Sequence, residues 1–557
     1  MTNQLFSLSL PKPMINKNKT FLFLVLVFIA SFLVRIAFYK TTPLLWDEAA
    51  LGYNAYSIIQ TGKDEYGQTL PIIFKSFGDY KPGLYVYLAI PFVKLFGLNE
   101  LSVRFPSILI GSLIPIFLYF LIKEINPKSH KVALLASIIT AFNPYNIHFS
   151  RGAWETNILT FELILASFLF FKFINSQKSK FLFFSSLVFG ATLFTYQAGK
   201  MISLLLIFVL ILTNFKLINL KKLFLSFVIP LGIFSIPIVY GLFFSSNGNR
   251  LQVISLFSYP RSNTEIQTII NETNKTDYQI FYNPVIFFIR NFTSRYFNHF
   301  SPRFLGFEGD WQNTRQSAPY IGVILYPSLI FLVLGIFFAI TRSKLDKLNL
   351  FFIFWLLIAP LPAALTRDAV QSVRAMSLSI PLVYFISLGI FFITEKYKNK
   401  ILYIGIFSAY FISFLYYSDL YLKHMVIRSP IDFLYGYRQA MEYVIKNKDR
   451  FQQTYITDYY GQPYIFYLFY SSYSPQNYQK QAKLDDNSLD TGKVKRIDNI
   501  KFETAQYNFI KDHPGTLGIF SQEEIYRQGI DKRPEFKNFI PLSPIGTIST
   551  FYAYESQ

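Results

Sequence analysis

Apolar residues along this chain come in long runs, at about 21–39, 105–122, 131–147, 156–171, 181–197, 200–213, 223–243, 320–340, 349–364, 375–393 and 401–418. Each approaches the roughly 20 residues that cross about 30 Å of hydrocarbon as a helix. Eleven such runs do not fit a soluble core, and they predict an α-helical polytopic membrane protein of about 11 transmembrane helices. No small-x-small cleavage site follows the first run, so it reads as an uncleaved span and not a secretory signal. A shorter run, LYVYLAIPFVKLF, is amphipathic and is expected to lie along the membrane interface.

Composition agrees with this pattern. Of 557 residues, 52% are hydrophobic, 19% aromatic and only 15% charged, against about 25% charged in soluble proteins. Cysteine is absent, which excludes disulfides, thiolate zinc sites and cysteine nucleophiles. The formal charge of +20 would suggest nucleic acid in a polar chain. A mean hydropathy of +0.31 argues instead for a membrane origin of that charge, with no nucleic-acid partner.

The cations decide the orientation. Lys12, Lys17 and Lys19 precede the first run; Lys123, Lys128 and Lys131, then Lys172, Lys178 and Lys180, then Lys216, Lys221 and Lys222, then Arg342, Lys344 and Lys347, then Lys396, Lys398 and Lys400 occupy every second connection. These eighteen cations meet three acids, Glu124, Asp346 and Glu395, so the six patches hold +15 of the +20. Short Lys/Arg-rich loops stay cytoplasmic. The chain is therefore expected in the cell membrane with residues 1–20 cytoplasmic, a transmembrane region over 21–418, outer loops at 40–104 and 244–319, and an extracytoplasmic tail at 419–557. The tail, with TYITDYYGQPYIFYLFYSSY, predicts β-rich runs within a small α/β domain.

Ionisable residues gather on the outer side. Asp47 and Glu48 directly follow the first span, where two acids can cap the helix that the next residues predict. Asp79 and Lys81 lie in FGDYKPGLY, whose Pro82 suits the first turn of the following helix. Arg151 and Glu155 are spaced i, i+4, as an ion pair on one helix face would be. Glu162 falls within the fourth span, and Arg374 stands at the mouth of the tenth, where arginine can snorkel to headgroups. Such groups at membrane level tend to line functional cavities. Carboxylates that accept a hydroxyl proton, beside cations that stabilise a phosphate leaving group, suit transfer from a phosphate-activated donor.

At WDEA (Trp46 to Ala49), FGDYKPGLY and HFSRGAWE the chain resembles a GT-C-fold glycosyltransferase of the protein O-mannosyltransferase type, the superfamily that includes the aminoarabinose transferases. The resemblance implies that Asp47 is the catalytic base with Glu48 beside it. It assigns Lys81 to the donor phosphate, with Arg374 and Arg151 as further phosphate ligands, and makes Glu155 and Asp79 metal or acceptor contacts. HFSPRFLGFEGDWQNTRQ, with His299, Asp310 and Arg315, looks like bacterial members of the family. The sequence departs from the family pattern at Gly83, where a second proline is usual, and at Gln316, where histidine is common.

The implied reaction is an inverting transfer of a mannose-like or other sugar from a polyprenyl-phosphate donor to a hydroxyl or amine on a protein, lipid or glycan acceptor. A divalent cation, Mg or Mn, shared by Asp47 and Glu155 is compatible with their hard oxygens. The alternative is a transporter or flippase of lipid-linked glycans, which should show broken spans in repeated halves. No such repeat is present in the sequence.

Overall fold

A computed structural model describes residues 17–244, 255–341, 346–485, 492–546 and 548–556. Lys12, Arg342 and Lys344 of the cationic patches, and the side chain of Asp79, lie outside the described residues. Among the described residues, eight helices are long and apolar enough to cross a membrane, or nine if the pair His130–Phe142 and Pro144–Arg151, bent by 52°, forms one span. Ser179–Thr192, Tyr326–Thr341 and Leu84–Phe96 are shorter apolar helices. Each of the eleven runs coincides with one of these elements, and Leu84–Phe96 is the stretch expected at the interface.

Lipid-facing surface follows from helical periodicity. Leu22, Leu26, Ile29 and Leu33 share one bare face of α1 (Lys17–Phe38), as Ile404, Phe407, Phe411 and Leu415 do on the helix Lys400–Arg428. Bare apolar stripes at i, i+3/i+4 spacing belong against acyl chains. The interior is a continuous apolar cluster in which the Ser372–Tyr397 helix is the most enclosed span.

The lysine-rich connections meet at one end of the bundle. Lys131 pairs with Glu395, Asn126 donates to Asp346 (3.2 Å), Asn175 to Glu124 (2.9 Å), and Lys222 to the Gln177 carbonyl (3.0 Å). The opposite end carries α2 (Trp46–Thr61), the hairpin β1 (Ile73–Ser76) and β2 (Asp79–Pro82), and α3 (Leu84–Phe96). The hairpin turn has positive φ at both central residues, Phe77 (54°) and Gly78 (86°), the geometry of a type I′ turn.

Four expectations change. Pro82 ends β2 opposite Ile73, so α3 begins at Leu84 without it. The run at 320–340 becomes helical only at Tyr326, because Val323 and Ile324 donate to the carbonyls of Phe304 and Leu305 and Val323 accepts from Tyr145. The last apolar helix continues past 418 to Arg428, supported by the i, i+4 pair Asp419–Lys423. In the tail, only Gln453–Ile456 of the aromatic stretch is a strand; Pro463 starts a helix to Tyr470 whose residues Pro463 to Phe469 are all buried.

The tail is an α/β unit. Its six-stranded sheet runs, by residue, 496–497, 500–502, 453–456, 516–521, 551–555, 540–541. Gln453–Ile456 pairs in parallel with the strands on both sides, and the other pairings are antiparallel. Its core is continuous with that of α2 and α3, through Tyr464, Phe466 and Phe469.

Candidate active site

The site grows from the two acids that open α2. Neighbours on a helix point about 100° apart, and Asp47 and Glu48 accordingly part company. Glu48 is 4% exposed. Its oxygens accept from Arg104 Nη2 (2.6 Å) and Nε (2.9 Å), Leu45 N–H (3.0 Å) and Ala153 N–H (2.7 Å). Burial pushes its carboxyl up, but Arg104 and the two amides outweigh that and hold it below the usual carboxylate range. Glu48 therefore caps α2 and fixes that helix to α4 (Glu100–Ile125) and to the turn before α7 (Glu155–Ser176). It is already saturated, and the expected place for it beside the base becomes an architectural one.

Arg104 is absent from the residues that the sequence singles out. It donates also to the carbonyls of Tyr39, Thr42 (3.0 Å) and Pro43 (2.9 Å), binding the segment after α1. Asn99 caps α4 in a reciprocal box with Ser102, which carries the helix back past the apolar run and makes Arg104 part of it. A lone cation at the mouth of a span, with an unpaired acid elsewhere, is the signal that could find it.

Asp47 turns the other way, into a cleft lined by Asn54, Phe74, Ser76, Lys81, Pro82, Val86 and Glu155. Lys81, on β2, forms an ion pair with Asp47 and lies over the Phe77 ring, 5.2 Å from its centroid. Gly83 donates its N–H to the Ile72 carbonyl (3.1 Å), and a Cβ there would meet the Phe74 ring at 2.4 Å. A second proline would lose that bond and collide with Phe74, so glycine lets this hairpin seat Lys81.

Arg151 and Glu155 do not share a helix. Pro144–Arg151 ends before extended Gly152, and α7 starts at Glu155. Arg151, 2% exposed, donates to Thr42 Oγ1 (2.7 Å) and stacks on Tyr421 at 4.4 Å, away from the residues lining the cleft. Glu155 lines that cleft, within electrostatic reach of Lys81 and Asp47. Glu162, one face deeper, accepts from Thr195 Oγ1 (2.7 Å).

Arg374 approaches from the far side. It acts on Tyr196, whose phenol is pushed up to about 12 by burial, with Glu155 and Asp47 adding to the shift and Arg374 opposing it. Tyr196 is thus within electrostatic reach of both acids and of Arg374. The apolar run 181–197 hides it: the helix stops at Thr192, and residues 193–198 form a turn. Thr156 Oγ1 donates to the Val373 carbonyl (2.8 Å), tying Glu155's helix to Arg374's segment. Of the remaining candidates, Arg315 lies over the Trp46 ring at 5.7 Å, while His299 and Asp310 are buried and bonded to backbone.

The donor set does not fit the expected divalent ion. Among the described residues no three His, Asp or Glu side chains converge, and Lys81 already brings an ammonium to Asp47. With Lys81 in place, Asp47 and Glu155 offer a divalent ion at most two carboxylates beside a positive charge that opposes it.

The tail closes the site. Gly492 N–H donates to the Phe77 carbonyl (2.7 Å) at the hairpin turn, and Gly461 (φ 122°) lies so close to Trp46 that a Cβ would meet its ring at 2.2 Å. Behind α2, Glu65 is wholly buried; Oε1 accepts from Asn54 (3.1 Å) and Oε2 has no hydrogen-bond partner. Burial raises its carboxyl to about 8. A folded pKa above the unfolded value contributes stability that is full below about 4.5 and disappears as pH rises through about 8. Glu65→Gln is expected to flatten this fall, which approaches at most about 1.4 kcal/mol per pH unit, and to raise the apparent Tm at pH 8 relative to wild type in detergent. Parallel Tm–pH curves for the two proteins would refute the assignment.

The sequence profile of the dolichyl-phosphate-mannose-protein mannosyltransferase family matches residues 80–240, a stretch that includes Lys81, Glu155 and Tyr196. Among curated proteins none matches. The structure of ArnT from Cupriavidus metallidurans bound to undecaprenyl phosphate is similar at a TM-score of 0.53 and 9% identity, over 97% of this chain and 98% of that one. The Archaeoglobus fulgidus oligosaccharyltransferase aligns at a TM-score of 0.46 and 14% identity, over 81% of this chain and 61% of its own. The chain has a GT-C fold with a C-terminal α/β region.

Proposed function

We propose that this protein is a membrane glycosyltransferase that moves a sugar from a polyprenyl phosphate to an acceptor hydroxyl or amine on the outer face of the cell membrane. The observation that carries this reading is the convergence of Asp47, Lys81 and Glu155 in one cleft, with Tyr196 and Arg374 beside it. The cleft lies at the end of the bundle opposite the lysine-rich connections, an arrangement that supports an N-terminus in the cytoplasm and a tail outside. ArnT, whose fold extends over 97% of this chain, was solved with undecaprenyl phosphate, and a lipid phosphate of that class would meet the Lys81 ammonium in the cleft.

In this reading the donor phosphate competes with Asp47 for the Lys81 ammonium. As Lys81 turns to the phosphate, Asp47 is released to accept the acceptor's proton. The acceptor heteroatom then bonds to the anomeric carbon from the face opposite the phosphate, the carbon–oxygen bond to phosphate breaks, and the configuration inverts. Lys81 and Arg374 stabilise the charge that grows on the departing polyprenyl phosphate. Glu155 orients the acceptor, and the tail, bonded to the hairpin and packed on Trp46, walls the acceptor side.

Purified protein in lipid, supplied with a panel of polyprenyl-phosphate sugars and hydroxyl acceptors, is expected to release polyprenyl phosphate and form a glycoside. Absence of transfer from every donor, with flux of intact lipid-linked sugar across vesicles, would favour the transporter.

A further inference from the structure

The residues before Arg374 have their backbone donors taken in series. Gln371 N–H donates to His299 Nε2 (3.2 Å), Ser372 N–H to Asp310 Oδ2 (2.8 Å), and Val373 N–H to Gln316 Oε1 (2.9 Å). The three acceptors are 0%, 2% and 8% exposed. The carbonyls are held as well: Tyr145 donates to that of Ser372 (2.7 Å) and Thr156 to that of Val373 (2.8 Å).

The acceptors are themselves fixed. His299 accepts through Nε2, so its Nδ1–H donates to the Arg295 carbonyl (2.8 Å), and burial lowers its pKa to about 4, keeping that neutral tautomer. Asp310 Oδ1 accepts from the N–H groups of Asn313 (2.9 Å) and Gln312 (3.3 Å). Gln312 reaches back to Ala369 N–H, and Asn298 to the Ala369 carbonyl (3.2 Å). The middle outer loop therefore grips residues 369 and 371–373, while the Arg374 side chain faces Asp368 and acts on Tyr196.

We infer that His299, Asp310 and Gln316 are positioning residues that act through Arg374, clamping the segment that presents its guanidinium to the donor phosphate. This rests on the role given to Arg374 above. Helix N-termini bind phosphate through free N–H groups; here those groups are consumed, so the phosphate is met by side chains whose aim depends on the clamp. A histidine at 316 offers a ring nitrogen as acceptor in place of the Gln316 amide oxygen, and the clamp accommodates either.

Reconstituted wild type, Arg374→Met, Gln316→Leu, Gln316→His, Asp310→Asn and the doubles Gln316→Leu/Arg374→Met and Asp310→Asn/Arg374→Met should be compared for donor KM and kcat with polyprenyl-phosphate mannose or the best donor of the panel. Gln316→Leu and Asp310→Asn are each expected to lower kcat/KM for the donor about tenfold, with kcat falling as well as donor KM rising, Gln316→His to stay within about twofold, and neither loss to add to that of Arg374→Met. Losses that multiply undiminished in the Arg374→Met background, or Gln316→Leu and Asp310→Asn behaving as wild type while Arg374→Met is impaired, would overturn the clamp and leave the transferase intact. An unimpaired Arg374→Met would instead remove Arg374 from the phosphate site and the clamp's purpose with it. If Gln316→Leu does not fold, Asp310→Asn carries the same comparison.

Discussion

Asp47→Asn is expected to lower sugar transfer by about 10²–10⁴-fold while the protein keeps its elution profile and apparent Tm. The amide has the shape of the carboxylate and retains an oxygen for the Lys81 ammonium, but it cannot take a proton from the acceptor. The charge left without its counterion is the Lys81 ammonium, 18% exposed, which still faces the amide oxygen in the cleft. Measured rates of polyprenyl phosphate release should fall while donor affinity tightens, because the phosphate no longer competes with a carboxylate for Lys81. Turnover equal to wild type would remove Asp47 from the chemistry.

The adjacent acid should behave in the opposite sense. Arg104→Leu strands the Glu48 carboxylate in a site with 4% exposure, and breaking one partner of a buried ion pair costs about 3–5 kcal/mol. The expected result is a large drop in apparent Tm and in folded yield, far beyond that of Asp47→Asn. The double variant Glu48→Leu/Arg104→Leu should recover part of it, because the unpaired charge is gone although the bonds to Leu45 and Ala153 are lost. Equal stability of wild type and Arg104→Leu would show that the pair does not hold α2 in place.

Particular residues mark how far the amino-acid pattern reaches. Long apolar runs announce spans because a helix in lipid must be apolar for most of its length, and the Lys-rich connections announce their common side. The roles of Asp47 and Glu48 are not separable in the sequence, since adjacency along the chain says nothing of which face meets a cleft. Arg104 falls in a predicted loop because helices begin at their caps, not where hydrophobicity begins. Tyr196 is hidden in an apolar run that folds as a turn. The stretch around Ile465 reads as strand or helix alike, since a fully buried helix has no periodicity to betray it. His299, Asp310 and Gln316 attract notice by resemblance, yet their task is visible only through the three backbone amides they hold.

The bond from Gly492 to the Phe77 carbonyl has a consequence for biosynthesis. Asp47 and Lys81 leave the ribosome early, whereas the residue that braces their hairpin follows roughly 400 residues later, some tens of seconds at about 5–20 residues per second. Through that interval the spans insert and the hairpin waits without its outer support. The hairpin that carries Lys81 is thus braced by a segment made long after it, so the cleft takes its final shape only once the α/β region has followed the spans.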